Sequence, residues 1–161
     1  MSKFFDIQEM LEFAIRIEEN GEYFYKQMAA KIQDNSIKEM FNMLAAEEIK
    51  HRKIFENMLS SLYKYIPSES YLGEYFNYLR SYANDYIFTE DKKPEIVVKK
   101  INSAKEALDF AIGIELDSVL YYLEMKNLVS KEQINLVDNI IEEERKHYLK
   151  LSQLKKELLN P

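Results

Sequence analysis

At 161 residues the chain has the size of one ordinary domain, and 47% apolar residues give it material for a sizeable core. Three Gly and three Pro are too few for an all-β fold of many tight turns, and the lack of Cys excludes disulfides, zinc ribbons, cysteine-held iron–sulfur clusters and a thiol nucleophile. A net charge of −6 with scattered basic residues argues against nucleic acid, no apolar run reaches membrane-spanning length, and Met1–Met10 lacks a signal-peptide pattern, so a soluble, cytoplasmic, all-α domain is expected.

Four long amphipathic stretches follow in order, each opened by a capping-box pattern. Asp6-x-x-Glu9 opens the first, to about Gln33, and Ser36-x-x-Glu39 opens the second, to about Tyr65. Ser103-x-x-Glu106 opens the third, to about Val129, and Ser130-x-x-Gln133 opens the fourth, to about Leu159. The joints at Asp34-Asn35 and Ser130 are short enough to make antiparallel helix hairpins, about 6–65 and 103–159. Between them, about 66–102, lie Pro67, a tyrosine-rich helical stretch from about Tyr71 to Phe88, and the loop Thr89–Pro94. This connection is long enough to run the length of a bundle, which allows a crossover. Its row Tyr71, Tyr75, Tyr78, Tyr82 has helical spacing and reads as a packing or dimer surface.

The hairpins form an internal repeat. Phe13-Ala-Ile-Arg-Ile-Glu18 recurs 97 residues on as Phe110-Ala-Ile-Gly-Ile-Glu115, and Glu47-Glu-Ile-Lys-His51 recurs 96 residues on as Glu143-Glu-Arg-Lys-His147. The first helix carries the stripe Leu11, Ala14, Glu18, Gly21, Tyr25, Met28, Ile32, and the third carries Leu108, Ala111, Glu115, Ser118, Tyr122, Met125, Val129. The second has Phe41, Leu44, Glu48, His51, Phe55, Met58, Leu62, and the fourth has Val137, Ile140, Glu144, His147, Leu151, Leu154, Leu158. These are the expected buried faces.

All four stripes are broken by acids at one level. Counting outward from each turn at ~1.5 Å per residue puts Glu18, Glu48 and His51 at nearly one height in the first hairpin, and Glu115, Glu144 and His147 at one height in the second. Four ionised carboxylates in a dry core would cost several kcal/mol each, ~4 or more. Two divalent cations balance their charge, and each Glu-x-x-His grips one metal from a single helix face.

These residues resemble the rubrerythrin branch of the ferritin-like di-iron carboxylate proteins, and the likeness covers both hairpins. The resemblance implies a ferritin-like antiparallel four-helix bundle in which Glu48 and Glu144 bridge two metals. Glu18 and Glu115 would be terminal carboxylates, with His51 and His147 on one metal each. Iron is the expected metal, with manganese or a mixed pair as alternatives; oxygen and imidazole donors without thiolate disfavour copper(I) and structural zinc. The implied activity is reduction of peroxide or dioxygen at the metals, with no protein nucleophile. Ferroxidase or storage function and a metal-binding scaffold are the alternatives. Rubrerythrins usually carry a cysteine-rich rubredoxin module, so in this chain a separate protein or small reductant is expected to supply electrons. They also carry a further carboxylate where this chain has Ser118, whose repeat mate is Gly21. A homodimer or higher homo-oligomer is expected.

Several residues around the ligands keep two readings. Gly21 serves close helix packing or, with Ser118, leaves room for an oxidant beside the metals. Glu22 is a solvated or outer acid, or an auxiliary ligand. Tyr25 and Tyr122 pack the core or hydrogen-bond metal-bound carboxylates. Asp109 and Asp138 are candidates for orienting a ligand histidine, although spacing alone does not place them.

Overall fold

The structure is a computed structural model and describes residues 3–62 and 73–161, with residues 3–6 as backbone only. Its helices are α1 (Lys3–Lys31), α2 (Asn35–Ser60), α3 (Gly73–Tyr82), α4 (Pro94–Lys100), α5 (Ala104–Met125) and α6 (Lys131–Leu159). No strand occurs among the described residues. α2 ends at Ser60 with Ser61 as its cap, short of the expected Tyr65; Pro67 and Tyr71 lie outside the described residues.

Local chemistry sets the helix ends, and two of the four expected caps move. α1 has already begun at Lys3, ahead of Asp6, because neither Gly nor Pro interrupts that stretch. The cap of α2 is Asp34 rather than Ser36: its carboxylate accepts the Ile37 N–H at 3.0 Å, which starts the helix one residue before Ser36. The other two caps fall where expected. Ser103 Oγ accepts the Glu106 N–H at 3.1 Å, and Gln133 Oε1 accepts the Ser130 N–H at 3.3 Å.

α1 packs along α2, and α5 along α6. Two apolar clusters fill the bundle, one toward each end. The first joins Ile7–Ile17 of α1, Phe55–Leu62, Tyr121–Leu128 and Val137–Ile141. The second joins Phe24–Ile32, Ile37–Ala45, Ala107–Ala111 and Leu151. Each long helix thus crosses from one cluster to the other, and the order gives the topology. α1 and α6 run from the first cluster to the second, whereas α2 and α5 run back.

α2 therefore ends at the first cluster and α5 starts at the second, so the connection must traverse the bundle. It does: Phe76, Leu79 and Ala83 join the first cluster, and Val97 and Ile101 the second. Glu9 holds α3 to α1 by accepting two bonds from Arg80, Nε at 2.9 Å and Nη2 at 2.6 Å. A π-helical turn at Ala83–Ile87 then brings Phe88 under the Arg16 guanidinium, 4.0 Å from the ring centre. Of the tyrosine row, Tyr75 and Tyr82 pack on the core while Tyr78 points outward.

The four stripes are the buried faces, with one correction. Leu154 is half-buried, at the edge of the second cluster, and Leu158 is exposed, because the last turns of α6 reach the bundle's end beside the Asp34–Ile37 turn.

Candidate metal centre

The buried polar residues are Glu18, Glu48, His51, Glu115, Ser118, Glu144 and His147. On every long helix they occupy the interval between the two apolar clusters. The sequence forces this, since each helix has apolar residues on one face above and below its acids. The six expected ligand residues thus converge in one layer, all at most 4% exposed.

Glu144 is the centre of that layer. Its Oε1 lies 2.8 Å from His51 Nδ1 and its Oε2 lies 3.4 Å from His147 Nδ1. The two imidazoles stack with centres 6.1 Å apart. Glu18 Oε2 is 3.6 Å from His51 Nδ1, and Glu115 Oε2 is 3.5 Å from His147 Nδ1. Two buried donor groups result, Glu18–His51–Glu144 and Glu115–Glu144–His147, each with its donor atoms within 4.8 Å of one another. Glu144 belongs to both.

Tyrosines from the opposite repeat half fix the terminal carboxylates. Tyr25 of α1 donates to Glu115 Oε1 on α5, and Tyr122 of α5 donates to Glu18 Oε1 on α1. Burial, reinforced by the adjacent carboxylates, raises both phenols well above their ordinary value, so they remain donors. Both tyrosines thus pack in the apolar clusters and hydrogen-bond a buried carboxylate of the layer. Each bond leaves the other oxygen, Oε2 of Glu115 and of Glu18, turned toward its histidine.

The inner atoms fit cations rather than one another. Glu18 Oε2, His51 Nδ1, Glu115 Oε2 and Glu144 Oε1 are fully buried without a hydrogen-bond partner. Even His51 Nδ1 and Glu144 Oε1, at 2.8 Å, are out of line for a hydrogen bond. Buried polar atoms are almost always satisfied, so orphans converging on common points call for ions. The hard oxygen and imidazole donor set suits iron or manganese.

Charge in this layer is polarised. Burial pushes the Glu48 carboxyl well above the ordinary range, aided by the charge of Glu18. Glu115 is raised by burial and then by Glu144. For Glu144 burial also acts upward, but the adjacent Glu115, His147 and His51 side chains outweigh it and hold it low. Although burial disfavours the charged imidazole, Glu144 and Glu18 push His51 up to about 12, and Glu115 and Glu144 push His147 up to about 9.

Glu48 departs from the repeat symmetry. It is buried in the same layer, but its carboxylate lies against Gly21, where an added Cβ would stand 2.7 Å from Oε2. The expected room at Gly21 is thus occupied by this carboxylate. Ser118 is buried in the same layer, and its hydroxyl folds back to donate to Ile114 O at 3.0 Å. Glu22 lies off the stripe, held by Lys26 and Arg52, and is not placed as an auxiliary ligand.

The residue that orients a histidine is Glu143. His51 Nε2 lies 2.7 Å from Glu143 Oε2, so an Nε2–H donated there leaves the Nδ1 lone pair facing inward. Asp109 does not do this, being paired with Lys105 at 2.7 Å and Lys155 at 2.5 Å; Asp138 is paired with Lys126 at 2.8 Å. The doubled acid of Glu-Glu-x-x-His occurs in both repeat halves and does not by itself single out Glu143. Its repeat mate Glu47 bonds Lys50 at 2.6 Å instead.

The rubrerythrin family model matches residues 9–155. A solved structure from Thermotoga maritima, of a protein proposed to be a ferritin-like diiron-carboxylate protein, is similar in fold. It has a TM-score of 0.69 and 29% identity over 94% of this chain and 95% of that chain. Among curated proteins none matches. The bundle with its crossover is a ferritin-like fold, and its buried Glu/His clusters suit two metal ions.

Proposed function

The chain belongs to the rubrerythrin family, and from that premise we propose that it is a two-iron oxidoreductase that reduces peroxide, or dioxygen, with electrons from a separate donor. The observation that supports this is Glu144 lying between His51 and His147, amid four buried atoms without hydrogen-bond partners. Glu18, His51 and Glu144 would hold one ion, and Glu115, His147 and Glu144 the other, with Glu48 completing the set. Iron bound there would supply the change of oxidation state and the open coordination positions that the protein side chains lack, with the electrons restored by the separate donor.

The chain's own part is positioning and exclusion of water. Tyr122 and Tyr25 each tie down one carboxylate oxygen and leave its partner oxygen pointing inward. Glu143 fixes the His51 ring from outside. The apolar clusters above and below keep bulk water from the layer, which strengthens every charge interaction inside it.

Anaerobic loading with Fe(II), metal analysis and stopped-flow mixing with peroxide or dioxygen test the reading. Two irons per chain and faster oxidation by peroxide than by dioxygen are expected. Faster oxidation by dioxygen, with iron retained in a large assembly, would favour a ferroxidase. Folded protein that takes up no iron would overturn the proposal.

A further inference from the structure

A cavity of about 170 Å³ lies outside the metal layer, between α1 and α5 and beneath the crossover. Ile17 and Gly21 of α1 and Phe110, Gly113 and Ile114 of α5 line it. Those positions bracket Glu18 and Glu115, so the cavity sits at the height of the buried carboxylates. Gly21 lines it while also meeting the Glu48 carboxylate.

Gly113 stands at the exposed edge of this space and adds no side chain to its wall. Glycine within a helix costs about 0.5–1 kcal/mol relative to alanine. No neighbour demands it here, since an added Cβ would meet nothing within 4 Å. The repeat mate is Arg16, which fills its own side by covering Phe88. The second half of the repeat leaves the equivalent volume open instead.

The walls define a ligand. They are mainly aliphatic, with the Phe110 ring among them. The charged groups at the rim are paired: Lys92 with Asp117 at 3.4 Å, and Asp109 with Lys105 and Lys155. An ionic ligand would find no free counter-charge there. The Asn20 amide, also at the wall, makes no hydrogen bond among the described residues and is able to recognise a hydroxyl or carbonyl. A dry cavity of about 150 Å³ holds one benzene ring. The geometry points to a binding site for a neutral, single-ring aromatic molecule bearing a hydroxyl, the phenol class, seated between α1 and α5 beside the metal layer. This site does not depend on the metal reading, because none of its contacts is a metal.

Phenol titrated into the full-length protein and followed by NMR tests it, with benzoate as the charged analogue. Saturable binding is expected, with intermolecular NOEs from the phenol ring to Gly113 Hα and the Ile17 and Ile114 methyls. Benzoate should bind at least about tenfold more weakly, since its charge is not met. Gly113→Leu, which adds a side chain at the cavity's edge from a helix position outside the ligand set, should raise the phenol Kd by about tenfold or more with the melting temperature retained. No saturable binding, NOEs to other residues, or benzoate binding as tightly as phenol would overturn the proposal. If Gly113→Leu fails to fold, the NOEs in the unmodified protein still decide.

Discussion

The carboxylate of Glu48 occupies the space that a side chain at Gly21 would need: a Cβ there would lie 2.7 Å from Glu48 Oε2 and 2.9 Å from Glu48 Cδ. Glu144, its repeat mate, sits instead between the two histidines. The glycine on α1 and the glutamate on α2 thus form one unit that breaks the symmetry of the repeat.

Gly21→Ala should therefore move Glu48 and leave the fold intact, because the obstructing atoms end a flexible side chain. Affinity for the weaker-bound iron should fall by about tenfold, as when a ligand's support is lost. Gly113→Ala is the control. It meets nothing within 4 Å and should raise stability by about 0.5–1 kcal/mol, with iron affinity unchanged. Iron titration and thermal melts of both variants check the pair; equal iron affinities would detach Gly21 from the site.

Metal uptake should release protons. In the metal-free protein His51 is pushed up to about 12 and His147 up to about 9, and Glu48 and Glu115 are raised as well. A metal needs the neutral imidazole and the ionised carboxylate. Calorimetry of Fe(II) or Mn(II) binding at pH 7 in buffers of different ionisation enthalpy should report about two to four protons released per chain. A buffer-independent heat would contradict these protonation states.

Stability of the metal-free protein should fall as pH rises from about 5 to 9. Glu48 and Glu115 are raised in the folded state, so their contribution is fully present below the ordinary carboxylate value of 4.5 and is lost as pH climbs through their folded values. His147 acts in the same direction, fully present below 6.5 and lost as pH passes about 9. Glu144 is lowered, so its contribution is present above 4.5 and stays intact over this range. Chelation should then lower the melting temperature more at pH 8 than at pH 5. An equal drop at both pH values would mean that the carboxylates are solvated.

Much of this was legible in the sequence because helix periodicity and repeat equivalence are independent constraints. Glu18 alone is an unremarkable acid; Glu18 matched to Glu115 on an otherwise apolar stripe is a buried one. The crossover followed from the length of 66–102. What was not legible depended on side-chain rotation rather than spacing. The cap at Asp34 won over Ser36 because its carboxylate reaches Ile37 N. Spacing does not show that the Glu48 carboxylate turns onto Gly21. Glu143 reads as surface acid, and only the 2.7 Å contact with His51 Nε2 gives it a role.

That contact supports the last prediction. Glu143 is 46% exposed, so its own burial contributes little, and its effect must act through the His51 ring. Glu143→Ala should free that ring and lower affinity for one of two irons by about 10- to 100-fold. Glu143→Gln keeps an oxygen that accepts the Nε2–H and should restore most of the affinity, with a shifted pH dependence because the carboxylate charge is gone. Glu47→Ala, at the repeat-equivalent position, removes a carboxylate that lies near His51 but bonds Lys50 rather than the ring, and should lower iron affinity less. Iron titrations of the three variants, with histidine NMR to follow the ring, check the set. Equal losses for Ala at 47 and 143 would show that both acids act only through their charge, and no loss at either would remove Glu143 from the site.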